Sequence, residues 1–169
     1  KFKFGKSSVR LFGETIYYDS PYGLTDYQSI LCRHREWLRM DNVKNPKVIV
    51  DIGANVGFFS KMARSLYPFS KIYAIEPVPA IYNLLSKNLN GDQKTKLFRF
   101  AVFNKKSKQK MFFDENDSLT SKISDSGKFY VETDTLDNFI DKQEINEIDI
   151  LKIDVESFEN YVLLGAEKA

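Results

Sequence analysis

The sequence feature that most constrains the fold is a buried strand that runs directly into a glycine turn. Residues 47–51 contain the β-branched run Val-Ile-Val, which is typical of a strand covered on both faces in a parallel sheet. Gly53 and Gly57 interrupt this run, and residues 56–66 then have the composition of a helix that ends before Pro68. A strand, turn and helix in this order predict an α/β protein with helical crossover connections.

The same alternation continues along the chain. Further strands are predicted at residues 71–75, 96–103 and 148–153, and further helices at 78–89, 134–142 and 157–167. This order predicts a doubly wound, three-layer α/β fold with a mostly parallel sheet and right-handed crossovers.

Two stretches depart from the alternation. Residues 9–18 are predicted to form a hairpin about Gly13, and residues 25–40 a helix. Residues 104–128 are rich in Ser, Lys, Asp and Asn, and we predict two extra strands, at 111–113 and 129–131, that flank an exposed loop. The basic run of Lys105, Lys106, Lys108 and Lys110 is predicted to lie in a solvated loop rather than in an anion site. We therefore expect a cap or acceptor region over residues 1–45 and a core over residues 46–169, within one domain.

Composition narrows the class of partner. The formal net charge of +2 gives no reason to expect nucleic acid as the main partner. No apolar run is long enough to span a bilayer, and a single cysteine implies no oxidising compartment, so the cytoplasm is the default location. With one histidine in the chain, we expect no histidine-rich metal site.

The glycine turn indicates what kind of ligand the sheet edge binds. Gly53 and Gly57 let the backbone of the turn come close to a ligand, because a Cβ would collide with it. Ligands of doubly wound folds bind at the carboxyl ends of the strands, where this turn lies. The phosphate-loop pattern is absent, and Asn55 stands where a dinucleotide-binding turn has its second glycine. That glycine makes room for a pyrophosphate, so the sequence disfavours NAD and favours a ligand without phosphates.

Two groups of carboxylates follow later strands of the predicted sheet. Glu76 ends the second strand about 20 residues after the glycine turn, where an acidic side chain accepts hydrogen bonds from both hydroxyls of a ribose. Asp154 and Glu156 follow the fourth strand and face the same crevice. They are suited to hold a ligand ammonium, to position a substrate hydroxyl or to accept its proton, and one of them is alternatively suited to stabilise the dipole of the next helix.

These motifs resemble the FkbM family of S-adenosylmethionine-dependent methyltransferases. The resemblance rests on the glycine turn, the Glu76-Pro77 pair, the Thr-Asp-Thr-Leu-Asp-Asn-Phe-Ile run at 133–140, the Leu-Lys-Ile-Asp-Val-Glu run at 151–156 and the closing Gly165-Ala166. It implies a Rossmann-like class I methyltransferase fold, S-adenosylmethionine as cofactor, and O-methylation of a hydroxyl on a small molecule, sugar or lipid. The implied cofactor contacts are Asp51, Gly53, Ala54, Asn55, Gly57 and Glu76, with Ala101 and Val102 beside the adenine.

The chain departs from the family pattern in two places. The family usually has glycine after the acidic pair, where this chain has Ser157. The family fold also continues with a fifth strand and a hairpin, whereas this sequence stops at Ala169, so we expect a core incomplete at the C-terminus and an exposed edge on the fourth strand.

Three functions remain open from the sequence. The first is methyl transfer to a hydroxyl, with Asp154 as first candidate base, Glu156 as second and His34 as a distant third. The second is a nucleotide-cofactor oxidoreductase on a similar sheet, and the third is a non-catalytic domain that binds a nucleoside.

Overall fold

The computed structural model describes residues 7–11, 14–18, 43–114 and 117–169. The described strands are β1 Ser7–Leu11, β2 Glu14–Tyr18, β3 Val48–Ile52, β4 Lys71–Ile75, β5 Thr95–Phe98, β6 Ala101–Val102, β7 Ser107–Asp114, β8 Asp117–Ile123, β9 Phe129–Asp134 and β10 Ile150–Ile153. The described helices are α1 Phe58–Leu66, α2 Pro79–Asn88, α3 Leu136–Gln143 and α4 Glu159–Leu163. The helix predicted at residues 25–40, with His34 and Trp37, lies outside the described residues.

The central sheet contains four parallel strands in the order β10-β3-β4-β5. Because β3 and β4 are buried along most of their lengths, their sequences are apolar on both faces. The predicted alternation of strands and helices over residues 47–89 is confirmed, and the carboxyl ends of β3, β4 and β10 meet at one edge of the sheet.

Helices cover both faces of this sheet, as expected for three layers. Side chains on one face, from Ile49, Ile72 and Ile150, pack against Phe59 and Met62 of α1, while Ala74 packs against Leu85 of α2. Side chains on the other face, from Val50, Ile52, Tyr73 and Ile75, pack against Leu136 and Phe139 of α3 and Val162 of α4. The mixed α/β fold with a mostly parallel central sheet is therefore the predicted one.

The segment predicted as one strand over residues 96–103 is two strands in two different sheets, so that prediction was wrong. β5 ends at Phe98 and pairs with β4, whereas β6 pairs with β9 in a second sheet of order β6-β9-β7-β8. The chain leaves the central sheet at Arg99 and Phe100, between the two strands.

The segment from 104 to 128 is also more ordered than predicted. The flanking strands exist as β7 and β9, but residues 117–123 form a third strand, β8, which pairs antiparallel with β7. Lys108 and Lys110 of the basic run are exposed, as predicted, but they lie on strand β7 rather than in a loop.

The N-terminal hairpin is anchored to the core by a buried amide and by Ile16 and Tyr18, which pack into the core. β1 and β2 pair antiparallel, which confirms the hairpin. The Nδ2 of Asn88, at the end of α2, donates to the carbonyl oxygens of Tyr17 and Val56 at 2.7 Å each, and its Oδ1 accepts from the backbone N–H of Tyr17. Asn88 thus joins the hairpin, helix α2 and the glycine turn.

β10 pairs with β3 along one side, and within the described part of the chain no strand pairs with its other side. Leu151 on β10 and Leu163 and Leu164 at the end of α4 are exposed. No helix in the described ranges is long and apolar enough to cross a membrane.

Candidate functional site

The glycine turn is held against the next strand by backbone hydrogen bonds. The N–H groups of Gly53 and Ala54 both donate to the carbonyl oxygen of Ile75, at 3.0 and 2.9 Å. Gly53 has a φ of 73°, and a Cβ there would lie 2.0 Å from the carbonyl oxygen of Asp154. The sequence argument that Gly53 makes room for a ligand therefore needs correction, because the space is filled by the backbone of Asp154.

Asn55 and Gly57 complete the turn in left-handed conformations. Asn55 has a φ of 50°, and its Oδ1 accepts a hydrogen bond from the backbone N–H of Val56 at 2.7 Å. Asparagine tolerates this conformation better than most residues because of such local hydrogen bonds. Gly57 caps α1 with a φ of 94°, a conformation that favours glycine, and a Cβ there would lie 2.8 Å from Cδ1 at the end of the Leu85 side chain.

Glu76 lies where the sequence predicts it, at the end of β4 and beside the glycine turn. Its Oε2 accepts from the backbone N–H of Asn55 at 3.1 Å, and its Oε1 accepts from the backbone N–H of Val78 at 2.8 Å. Only 5% of the residue is exposed. Each carboxylate oxygen has taken one donor and keeps capacity for another.

Burial raises the pKa of Glu76 to about 7. The hydrogen bonds from Val78 and Asn55 and the positive charge of Lys152 oppose this rise in the pKa, and the negative charge of Asp51 adds to it. A carboxylate with a raised pKa in a crevice is typical of a functional site.

Asp51 is fully buried under the turn and is held by two side chains. Its Oδ2 accepts from the hydroxyl of Ser60 on α1 at 2.7 Å, and its Oδ1 lies 3.1 Å from Nζ of Lys152. The contact with Lys152 is an ion pair without hydrogen-bond geometry, so Oδ1 accepts no hydrogen bond. Asp51 supports the turn from within the protein, and direct contact with a cofactor stays a prediction.

Lys152 is the site residue that sequence reasoning missed. Its side chain is only 12% exposed, and its Nζ donates to the carbonyl oxygen of Gly53 at 2.6 Å. The same Nζ lies 3.8 Å from Oδ2 of Asp154. A lysine within an otherwise apolar strand is the available signal, because a charge in such a strand needs a partner.

Asp154 and Glu156 lie at the same edge of the sheet and are both exposed. Half of the Asp154 side chain is accessible, and its backbone N–H donates to the carbonyl oxygen of Ile52 at 3.1 Å. Glu156 and Ser157 have φ values of 52° and 74°, so Ser157 adopts the conformation that the glycine usual in the family would favour.

The two residues predicted beside an adenine, Ala101 and Val102, form strand β6 and are both buried. Ala101 packs in one cluster with Val56 and Val78, which flank Asn55 and Glu76 in the sequence. Val102 packs in another cluster with Ile52 and Ile75 at the ends of β3 and β4. Both lie near the crevice through these neighbours, and their contact with an adenine stays a prediction.

Across the described ranges, no group of three His, Cys, Asp or Glu side chains is arranged to hold a metal ion. The third candidate base, His34, lies outside those ranges.

Comparison with known proteins gives the family of the chain. The model of the family described as "Methyltransferase FkbM domain" matches residues 51–169, which is more than half of the sequence. The chain belongs to the FkbM methyltransferase family. Its Rossmann-like α/β fold is the predicted one. The FkbM match begins at Asp51 and includes every predicted site residue from the turn to Glu156, but not the N-terminal hairpin.

Two curated proteins are similar to this FkbM chain. "Methyltransferase sdnD" from Sordaria araneosa is 48% identical over 48 residues, which are 28% of this chain and 18% of that protein. "Methyltransferase 1" from Beauveria bassiana (strain ARSEF 2860) is 24% identical over 144 residues, and the match covers 70% of this chain and 58% of that protein. The chain thus spans less than two thirds of the length of these relatives. No solved structure matches it.

Proposed function

We propose that the chain is an S-adenosylmethionine-dependent methyltransferase that transfers a methyl group to a hydroxyl oxygen of a small molecule, sugar or lipid. The observation that carries this proposal is the geometry of Glu76. Its two oxygens each accept one backbone N–H and each retain capacity for one more donor. Two adjacent acceptors match the vicinal hydroxyls of a ribose, which is what an adenosyl cofactor presents.

The charges at the crevice also fit this cofactor. Asp51, Glu76 and Asp154 are acidic, and Lys152 is already paired with Asp51 and Asp154. This arrangement repels the pyrophosphate of a dinucleotide and is compatible with a ligand that carries a sulfonium and an ammonium group. It therefore favours methyl transfer over the nucleotide-cofactor oxidoreductase.

When bound, S-adenosylmethionine supplies an activated methyl group, so the protein has to align the acceptor, exclude water and accept a proton. We assign the proton acceptor to Asp154, because its carboxylate is exposed and its main chain packs against Gly53 of the turn. The cofactor would supply the electrophilic methyl group, and the carboxylate of Asp154 would accept the proton that the acceptor hydroxyl loses. Glu156 is the second candidate for this role.

Calorimetry with two ligands tests the cofactor class. We expect S-adenosylhomocysteine to bind the chain in a one-to-one complex and NAD not to bind at the same concentrations. Binding of NAD alone would instead favour the oxidoreductase. Binding of S-adenosylhomocysteine without methyl transfer to any member of an acceptor panel would favour the non-catalytic nucleoside-binding domain.

Isosteric amides test the proton acceptor. If Asp154 accepts the proton, Asp154→Asn lowers kcat by about 100-fold or more, whereas Glu156→Gln changes it little. Both variants should bind S-adenosylhomocysteine like the wild type. Full turnover by both variants would show that neither carboxylate is a base and that alignment alone is sufficient.

A further inference from the structure

One buried ammonium group connects the glycine turn with the candidate base. The parallel register of β10 and β3 places Lys152 directly beside Asp51. From there Nζ lies 3.1 Å from Oδ1 of Asp51, 2.6 Å from the carbonyl oxygen of Gly53 and 3.8 Å from Oδ2 of Asp154. Within the described ranges, no other side-chain cation lies within ion-pairing distance of Asp51 or Asp154.

A lysine that only neutralised Asp51 would not need a short hydrogen bond to the carbonyl oxygen of Gly53. The Lys152–Asp51 contact lacks hydrogen-bond geometry, whereas the short hydrogen bond of Nζ goes to the carbonyl oxygen of Gly53. A hydrogen bond from a charged donor is among the stronger ones in proteins. The ammonium group is therefore aimed at the backbone of the turn rather than optimally at its counter-ion.

We propose that Lys152 is a positioning residue that holds the glycine turn in the conformation needed to bind the adenosyl cofactor and orients Asp154 toward the acceptor. This inference rests on the proposed function, because it assumes that the turn and Glu76 form the cofactor site. The contacts of Nζ with Gly53, Asp51 and Asp154 link the glycine turn, the carboxylate beneath it and the candidate base to strand β10, and Nζ also donates to the carbonyl oxygen of Ile52 at 3.5 Å.

Lys152 also acts on Glu76 through its charge. Among the described residues, the charged side chains that act on Glu76 are Lys152 on β10, which lowers its pKa, and Asp51 on β3, which raises it. Loss of the ammonium therefore leaves Glu76 protonated up to a higher pH. A protonated carboxyl group is a poorer acceptor for two ribose hydroxyls, so cofactor binding should then require a higher pH.

The test is calorimetric titration with S-adenosylhomocysteine between pH 6 and pH 9 for four proteins. They are the wild type, Lys152→Met, the double variant Asp51→Asn/Lys152→Met and the control Lys71→Met. Lys71 is an exposed lysine at the amino end of β4, the opposite edge of the sheet. The double variant removes both charges of the buried pair and so leaves no unpaired carboxylate under the turn.

We expect Lys152→Met to raise the pH at which binding reaches half of its maximal affinity by about one unit. At pH 9, where Glu76 is ionised in every variant, Lys152→Met should still bind about tenfold more weakly, because Gly53 has lost its donor. The double variant should recover thermal stability but not affinity at pH 9. Lys71→Met should match the wild type at every pH.

Two results would overturn the inference. One is a Lys152→Met variant with the affinity and pH profile of the wild type. The other is a double variant that regains full affinity, since Lys152 would then only neutralise Asp51. If Lys152→Met alone does not fold, the affinity of the double variant tests the positioning role of Lys152 by itself. A wild-type chain that binds no S-adenosylhomocysteine would instead refute the proposed function, and the role of Lys152 in cofactor binding with it.

Discussion

The carbonyl oxygen of Asp154 lies 2.0 Å from the position that a Cβ on Gly53 would occupy. This close approach joins the turn after β3 to the segment after β10, so the glycine turn and the candidate base form one packed unit. The glycine is therefore required by the protein's own backbone as well as by its φ of 73°.

Gly53→Ala measures how strongly these two segments depend on each other. The added methyl must displace the backbone of Asp154, so we expect the free energy of unfolding to fall by about 3 kcal/mol. Gly91→Ala is the matched control, because Gly91 has a φ of 86° but no atom within 4 Å of its Cβ position. Gly91→Ala should lower the free energy of unfolding by only about 1 kcal/mol, which is the cost of placing alanine in a left-handed backbone conformation. Equal losses of unfolding free energy for the two variants in urea denaturation would show that the backbone of Asp154 moves aside without cost.

The raised pKa of Glu76 makes the stability of the protein depend on pH. The pKa of Glu76 is about 7 in the folded protein and 4.5 for an ordinary glutamate, so folding takes up a proton between these pH values. Stability from this group is fully present below pH 4.5 and is lost as the pH rises to about 7, by about 3 kcal/mol in total. Glu76→Gln does not titrate and should lack this loss.

The measurement is the free energy of unfolding of both proteins at pH 5 and pH 8. The variant should gain stability relative to the wild type by about 3 kcal/mol between these pH values. Parallel pH profiles of the two proteins would mean that burial does not raise the pKa of Glu76.

Asn88 provides a test of how the N-terminal hairpin is attached. Asn88→Ala removes three buried hydrogen bonds, to both backbone groups of Tyr17 and to the carbonyl oxygen of Val56, and should destabilise the protein by about 3 kcal/mol. The backbone amides of residues 14–18 should then exchange with deuterium faster than those of β3. Asn90→Ala, at an exposed position just beyond α2, should change neither quantity. Unchanged exchange in β2 would show that the hairpin is held by other contacts.

Ser157 adopts a conformation that glycine adopts more easily. Its φ of 74° lets Ser157→Gly relieve backbone strain, and we expect the Tm to rise with a gain of about 1 kcal/mol. Asn104→Gly serves as a control, because Asn104 is exposed and is not among the residues with positive φ. It should destabilise slightly, because glycine increases the entropy of the unfolded chain. A loss of stability in Ser157→Gly would contradict the assigned backbone conformation.

The sequence predicts the parts of the fold whose burial is uniform. β3 and β4 are evident because both of their faces are covered, which selects mostly apolar residues, with Asp51 and the terminal Lys71 as the exceptions. The change of sheet between Phe98 and Ala101 has no such signal, since apolar residues continue across it. β8 was missed because it is an edge strand paired only with β7, and backbone hydrogen bonding sets no strong sequence pattern there.

The site divides in the same way. Glu76 and the glycine turn follow from spacing along the chain, because adjacent parallel strands end at the same edge. The role of Lys152 does not follow from spacing along the chain, because its contact with Asp51 depends on the register between strands about 100 residues apart in sequence. Short motifs cannot encode which residue of one strand lies beside which residue of another.

The central claim is that the carboxylate of Glu76 binds the ribose of an adenosyl cofactor. Calorimetric titration with S-adenosylhomocysteine at pH 8 tests it directly, with wild type, Glu76→Ala and the exposed control Glu147→Ala at the opposite edge of the sheet. We predict equal affinity for the wild type and Glu147→Ala, and affinity at least about 100-fold weaker for Glu76→Ala, which loses two charge-assisted hydrogen bonds. Equal affinity for all three proteins, or no binding by the wild type, would contradict the claim.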